Sequence, residues 1–366
     1  MERTFGALKQ GIKGFGLPRI IIFLFFLFLL VTAAFLGMNI PWLISDVLLR
    51  WGMWGVLVLA MVPSIRTGIG PNFGVAIGIV GGLLGALVSI ELRYFGVLFF
   101  GSLDPNGAAF GLVSIGLAVF LAILFSSLLG ILYGLLLNQV KGNEMIVSTY
   151  VGFSFIALFN ILWLLLPFRS STSIWPIAGD GLRTTINLED DFGRVLNHLF
   201  RIEIGRLTIP ISLLITVLFF CFVIFIFNKS RYGMLATAAG SNPDYAKAKG
   251  ISVNRARIVG TTISTALAGV GIVMFAQGLG FLQLYNAPMW MGFASVAAVL
   301  IGGATVKRAA IFNVLLGTLL FQGILTVALP VANEIIPEGN LSEVLRLIIS
   351  NGIILYALSK AKGGSR

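Results

Sequence analysis

The residues of this 366-residue chain that could do chemistry are few, and the gaps among them exclude most catalytic classes. His198 is the only histidine and Cys221 the only cysteine, so no HExxH zinc motif, no cysteine pair and no intrachain disulfide can be built. No carboxylates cluster at metal-ligand spacing, and neither a metal site nor any catalytic residue is expected. A GxxxxGK sequence followed by Ser or Thr is also absent, so the chain has no loop of that kind to cradle nucleotide phosphates. Any work it does on a solute must draw energy from elsewhere.

What remains is a set of neutral amides inside apolar surroundings: Asn72, Asn160, Gln277, Gln283, Asn313 and Gln322. A hydrogen bond to a neighbouring helix, worth about 0.6 kcal/mol in a membrane, accounts for any one of them taken singly. As a set they line a path suited to an uncharged, hydrogen-bonding solute; Asn72, Asn160, Gln277, Asn313 and Gln322 are the candidate path residues. Ionisable groups fall instead at the ends of apolar runs, as with Arg66, Glu91, Glu144 and Glu343. Each would cost about 2.5 to 3.5 kcal/mol at a helix centre, where a proton or ion relay needs them. Their absence from the centres argues against a secondary transporter or facilitator acting without an ATPase, and a membrane enzyme lacks a candidate constellation.

The elements that position these groups are helices in lipid. The chain is 58% hydrophobic and 11% charged, less than half the charged fraction of ordinary soluble domains. Apolar runs near the roughly 20 residues that cross a bilayer occur at 19–38, 47–62, 72–90, 111–138, 147–167, 207–228, 258–280, 288–303, 311–330 and 343–359. The expected fold is all-α: one polytopic transmembrane bundle over residues 1–366, of about ten spans, with both termini cytoplasmic. Under that topology 17 of the 25 Lys and Arg lie inside, and 11 of the 14 acids lie outside. The formal charge of +11 then follows from topology and attraction to anionic lipid, and needs no nucleic acid. Arg3, Lys9, Lys13 and Arg19 before Ile20–Leu36 mimic a signal peptide, but the apolar run has the length of a full span.

Two hydrophilic segments interrupt the spans. The external one, 168–206, balances five basic residues against five acids. Asp190 and Asp191 lead into Phe192, Val195, Leu196, Leu199 and Phe200, a spacing that predicts an amphipathic helix on the outer surface. It serves as an ordered loop over the bundle or as a docking surface for an external partner. Glycine numbers 44, much of it in the apolar runs, as at Gly78, Gly81, Gly82 and Gly85, where small residues let helices approach closely. Glycines also crowd two junctions, 67–74 and 301–308. The first predicts a broken or re-entrant helix beside protein or a wet cavity, and the pair resembles a distant internal repeat.

The second hydrophilic segment, 229–257, is basic and cytoplasmic, and it specifies a very short helix. Asn242 is an N-cap and Pro243 suits the first helical position, while Asp244 complements the positive end of the dipole and Gly250 ends the helix. From Pro243 to Lys249 such a helix is about 10 Å long, too short to cross a bilayer and the right size for a rigid knob at its surface. Gly240 and Gly250 set its two ends, and Asp244, Lys247 and Lys249 are its candidate contacts.

From Tyr232-Gly233-Met234 through Ala239-Gly240-Ser241-Asn242-Pro243 to Ala246, Gly250-Ile251 and Arg255, the segment resembles the cytoplasmic loop of bacterial ABC importer permeases of the ribose and nucleoside, branched-chain-amino-acid-like type. Lys141-Gly142-Asn143-Glu144-Met145-Ile146-Val147-Ser148-Thr149 is similar to a segment of the nucleoside branch, and Ala297–Ala304 to the late Gly-Gly junction. The resemblance covers about Trp51 to Leu358. It departs at Gly68-Ile69-Gly70-Pro71-Asn72, where ribose-type members carry an acid, and at Val306-Lys307-Arg308, which replaces a second Gly pair. It implies a non-catalytic subunit for nucleoside or simple sugar uptake in a bacterial inner membrane. It implies as partners ABC ATPase subunits that hold ATP and Mg, a second permease chain, like or unlike, and an external substrate-binding protein or lipoprotein. The Asn242–Gly250 helix would then be the coupling helix.

Overall fold

Caps and glycines set where each helix of this chain begins and ends. The computed structural model describes residues 17–96, 107–174 and 181–335, with isolated positions beyond. Helix α1 (Leu17–Phe35) stops before Gly37, at φ +73°. Asn39 then caps α2 (Ile40–Leu59), its Oδ1 accepting from Trp42 N at 3.2 Å, and α2 bends at Ala60 into α3 (Met61–Arg66). This span therefore starts at residue 40, not 47. Asp46 and Arg50 make its first turns look polar, but they pair with each other one turn apart at 3.1 Å.

After the first glycine junction come α4 (Val75–Tyr94), α5 (Ala108–Gln139) and α6 (Glu144–Leu165). The hydrophilic stretch after α6 holds β1 (Thr185–Asn187), α7 (Val195–His198) and β2 (Arg201–Ile204), and β3 (Leu207–Pro210) follows it. Then follow α8 (Ile211–Lys229), α9 (Arg231–Ser241), α10 (Pro243–Ala248), α11 (Val253–Leu279), β4 (Phe281–Gln283), α12 (Ala287–Ile301) and α13 (Ile311–Ile335). Among the described residues seven helices are long and apolar enough to cross a membrane, and Arg19–Phe35 and Ala287–Ile301 are shorter apolar helices. The tenth apolar run, 343–359, lies outside the described residues apart from isolated positions, as do both termini.

The centre of the bundle is packed backbone to backbone. A Cβ on Gly78 or Gly82 would lie 2.4 Å from the carbonyl oxygens of Thr265 and Gly269 on α11, and one on Gly85 would lie 2.4 Å from Ala122 N on α5. Ser126 Oγ donates to Gly78 O at 2.8 Å across the same seam. Small residues on α4 thus let α5 and α11 close on it from two sides.

Consecutive spans alternate in direction, and the connections sort to two ends. At one end lie the junctions around 67–74, 140–144, 229–252 and 302–310, with Arg19 Nη2 donating to Gly303 O at 3.2 Å. At the other, Glu91 accepts from Arg169 N (2.6 Å) and Ser170 N (3.0 Å), and β1 pairs antiparallel with β4.

That outer end corrects two expectations. The molecule is mostly helical, but it carries two small antiparallel sheets, β1 with β4 and β2 with β3. The amphipathic helix expected from Asp190 to Phe200 is a single turn, α7. Phe192 and Leu196 are buried as the pattern requires, but Arg194 (φ +57°) and Phe200 (φ +51°) break the helix on both sides. The chain turns at once into the β2–β3 hairpin, and Phe200, Ile202 and Ile204 face outward.

Asp191 is fixed here by an ion pair with Arg93 from the end of α4. Burial pushes its carboxyl up to about 6, against the opposing pull of Arg93. A raised value means that the fold binds this proton more tightly than the unfolded chain does. The stabilisation it brings is complete below the ordinary value of 3.8 and is lost as pH rises through 6. The thermal unfolding midpoint in detergent should therefore fall more between pH 4 and pH 7 in the wild type than in Asp191→Asn; parallel pH profiles would refute this.

Candidate coupling surface and solute path

Residues 242–251 build a helix closed at both ends by local hydrogen bonds. Asn242 Oδ1 accepts from Tyr245 N at 3.0 Å, and Pro243 occupies the first helical turn. At the other end Gly250 sits at φ +75°, its N–H donating to Lys247 O (2.9 Å), while Ile251 N donates to Ala246 O (2.9 Å). This pair of bonds is a Schellman closure, and it needs a residue tolerant of the left-handed region at position 250. Ala246 is fully buried against Ala239, Val253 and Ile251, which pins the inner face of α10.

The outer face of α10 is free. Asp244 and Lys247 bond to each other at 3.5 Å and remain largely exposed, and Lys249 Nζ lies 5.8 Å from the Tyr245 ring centroid. Tyr245 itself is 59% exposed, and Tyr232, Met234 and Leu235 on α9 are exposed as well. Sequence reasoning named Asp244, Lys247 and Lys249 and missed these apolar groups. The signal was present as Tyr232 and Tyr245 in a segment read as polar. It also missed α9, whose Ala- and Gly-rich stretch reads as a gap when only long apolar runs are counted.

Gly240 has a different task from the one its position predicts. It lies inside α9, where a Cβ would sit 2.2 Å from Arg66 O and 2.6 Å from Gly68 N, so it lays α9 directly on the backbone of the first glycine junction. Arg66 Nε donates to Thr237 Oγ1 at 3.3 Å beside it, and the Thr67 side chain packs on Gly260 of α11. Gly68 and Gly70 at φ +80° and +90° make the break between α3 and α4 that the sequence predicts. Gly70 also faces Val306, so the two glycine junctions are neighbours.

The 140–144 turn completes this end. Arg257 pairs with Glu144 at 2.6 Å in a nearly buried bridge, and Lys141 Nζ donates to Asn254 Oδ1 at 2.6 Å. Lys141, Glu144 and Arg257, together with Thr67, Gly68 and Lys247, border a cavity of about 190 Å³.

Four of the five candidate path amides have side-chain partners of their own, and none is bonded to another of the set. Asn72 is buried in protein, its Nδ2 donating to Ser264 Oγ (2.9 Å) and its Oδ1 accepting from Tyr133 Oη (3.1 Å). Gln277 Oε1 accepts from Leu196 N at 3.2 Å and its backbone carbonyl accepts from Arg194 N at 2.6 Å, which ties α7 to α11. Asn313 bridges the second junction, donating to Gly302 O and accepting from Ala310 N, both at 2.8 Å. Gln322 is buried on α13 with its Nε2 unpartnered. Asn160, like Asn313, is half-buried, its Nδ2 3.5 Å from Asn286 Oδ1.

A polytopic helical bundle, broken at buried glycine junctions and carrying a capped helix fixed to one end, has the architecture of a membrane permease subunit. Residues 43–358 match the model of the family described as branched-chain amino acid transport system / permease component, and the chain belongs to that family. It is 29% identical over 53% of its length to the probable ABC transporter permease protein YphD of Escherichia coli K12, of which it covers 60%. It is also 32% identical over 42% of its length to the nucleoside ABC transporter permease protein NupB of Lactococcus lactis subsp. cremoris, of which it covers 43%. The nucleoside permease NupC of the same organism is 30% identical over 25% of the chain and 29% of its own. The chain spans about half the length of the first two curated relatives. No solved structure matches it.

Substitution of Gly250 by Val should open the Schellman closure and release α10 from its inner contacts. In a reconstituted transporter, uptake should fall at least tenfold while membrane insertion is unchanged. Undiminished uptake with undiminished ATPase stimulation would defeat the assignment.

Proposed function

We propose that the chain is the membrane-spanning permease subunit of an ATP-driven, binding-protein-dependent importer for a small hydrophilic solute, a nucleoside first and a simple sugar second. One observation carries this reading. Helix α10 is capped, closed and exposed on its outer face, while its inner face and the adjoining Gly240 are fixed to the bundle. A rigid-body movement of a cytosolic ATPase against that helix would be transmitted to α3, α4 and α11 without a flexible link. ATP and Mg reside on the ATPase subunits in this scheme, and this subunit performs no catalysis.

The remaining parts follow from it. The basic end of the bundle, with α10, faces the cytoplasm of a bacterial cell, and residues 168–206 face outward, where a binding protein or lipoprotein delivers the solute. A second permease chain supplies the other half of the path. The nucleoside branch is favoured by the NupB and NupC matches and by the Gly142-Asn143-Glu144 turn. Proteoliposomes holding this chain with its ATPase, second permease and binding protein should accumulate labelled nucleoside only with ATP and binding protein present. Uptake of equal rate by the chain alone, without ATP, would replace this reading with a facilitator.

A further inference from the structure

The outward faces of the long helices are not alike. On α1, α5 and α8 the exposed side chains within the span are hydrocarbon or aromatic: Phe28 and Val31, Phe120 and Leu132, Phe219 and Phe222 are representative. On α6 they are not. Tyr150 (68% exposed) and Ser154 lie on one stripe with Phe153, and Thr149 and Asn160 sit at its half-buried margin. Lipid has no hydrogen bonds to offer such groups.

Helix α12 runs antiparallel beside this stripe and meets it at two rungs. The Phe153 and Phe293 rings are 6.0 Å apart, and Phe293 also stands 6.1 Å from Phe73 at the first glycine junction. The second rung is Asn160 with Asn286, at 3.5 Å. Both rungs are separated by seven residues on each helix, about 10.5 Å at the helical rise, so the register is the same on the two sides. Trp290, between Asn286 and Phe293 in sequence, is 65% exposed. The Asn160 Oδ1 has no partner. Below the aromatic rung an open groove of about 340 Å³ continues towards the cytoplasmic end, bordered by Phe73, Thr149, Tyr150 and Phe153. Among the described residues, none of the groups named on this lane is ionisable in the physiological range.

We infer that the α6–α12 lane, with Phe153, Trp290 and Phe293 as stacking surfaces and Asn160 and Asn286 as hydrogen-bonding groups, is this subunit's half of the solute path and selects a neutral solute with a planar aromatic base. A π-face stacks on Phe and Trp, worth about 1 to 3 kcal/mol per base where such contacts have been measured. Two turns away, the amides bond sugar hydroxyls. The lack of a cation on the lane selects against a phosphorylated solute, whose charge would be left uncompensated. Of the five amides singled out from the sequence, the inference retains Asn160 and adds Asn286. It rests on the importer reading above and names the solute chemistry and the residues.

The test uses the complete transporter in proteoliposomes with labelled uridine. If wild type accumulates neither uridine nor ribose with ATP, the importer reading falls; if it accumulates ribose and not uridine, that reading stands and the present inference is overturned. If wild type transports, Asn160→Leu/Asn286→Leu and Phe293→Leu should each lower uptake at least tenfold, with unchanged co-purification of both permeases and the ATPases. Phe222→Leu on α8 should leave uptake within twofold, and uridine monophosphate should not compete. Because Cys221 is the only cysteine and is buried, Ser154→Cys gives a second readout that does not depend on the leucine variants. It should react with a water-soluble thiol reagent at least tenfold faster than Leu128→Cys on α5, and uridine should slow it. Retained uptake in the variants, equal reactivity of the two cysteines, or loss of permease co-purification would overturn the inference, the last by showing a packing face instead of a solute lane.

Discussion

The contact on which this structure turns is backbone against backbone: Gly240 of α9 lying on Arg66, Thr67 and Gly68 at the end of α3. Nothing larger than a hydrogen fits there, and nothing softer than a peptide group lies between the exposed helix α10 and the interior of the bundle. Thr67 in turn rests on Gly260 of α11, and Gly70 faces Val306 of the second junction. Displacement of α10 is therefore felt by α3, α4, α11 and the loop before α13 together. A flexible side chain at position 240 would absorb such a displacement instead of passing it on.

The same principle governs the middle of the molecule. Gly78, Gly82 and Gly85 let α4 approach α5 and α11 to backbone distance. The surfaces away from this centre are looser and more varied. On α5 and α8 they are uniformly apolar, as lipid requires. On α6 and α12 apolar groups are interspersed with Tyr150, Ser154, Asn160 and Trp290, which the proposed path would use. A rigid centre with an adaptable lane on one side suits alternating access, in which a packed unit moves and the path beside it opens and closes.

How much of this was legible in the sequence follows from how local each cause is. The α10 helix was legible in full, because its N-cap, its proline and its C-terminal glycine act within ten residues of one another. The break at 67–74 was legible for the same reason. The start of α2 was not, since Asp46 and Arg50 neutralise each other only once the helix exists. The single turn of α7 was hidden too, because its apolar spacing is helical while Arg194 and Phe200 adopt left-handed backbone that no propensity foretells. The amides show the limit most clearly. Asn72 finds Ser264 192 residues away and Tyr133 61 residues away, so its type was evident and its partners were not. Asn160 finds Asn286 through a register match between two helices that pattern alone cannot align.

The most direct test of the central claim is the ratio of solute imported to ATP hydrolysed in the assembled transporter carrying Gly240→Ala. A single methyl there would fall 2.2 Å from the Arg66 carbonyl oxygen and must lift α9 off the junction. The account predicts that ATP hydrolysis continues and the ATPases remain bound while the ratio falls severalfold. A ratio equal to that of the wild type would contradict it.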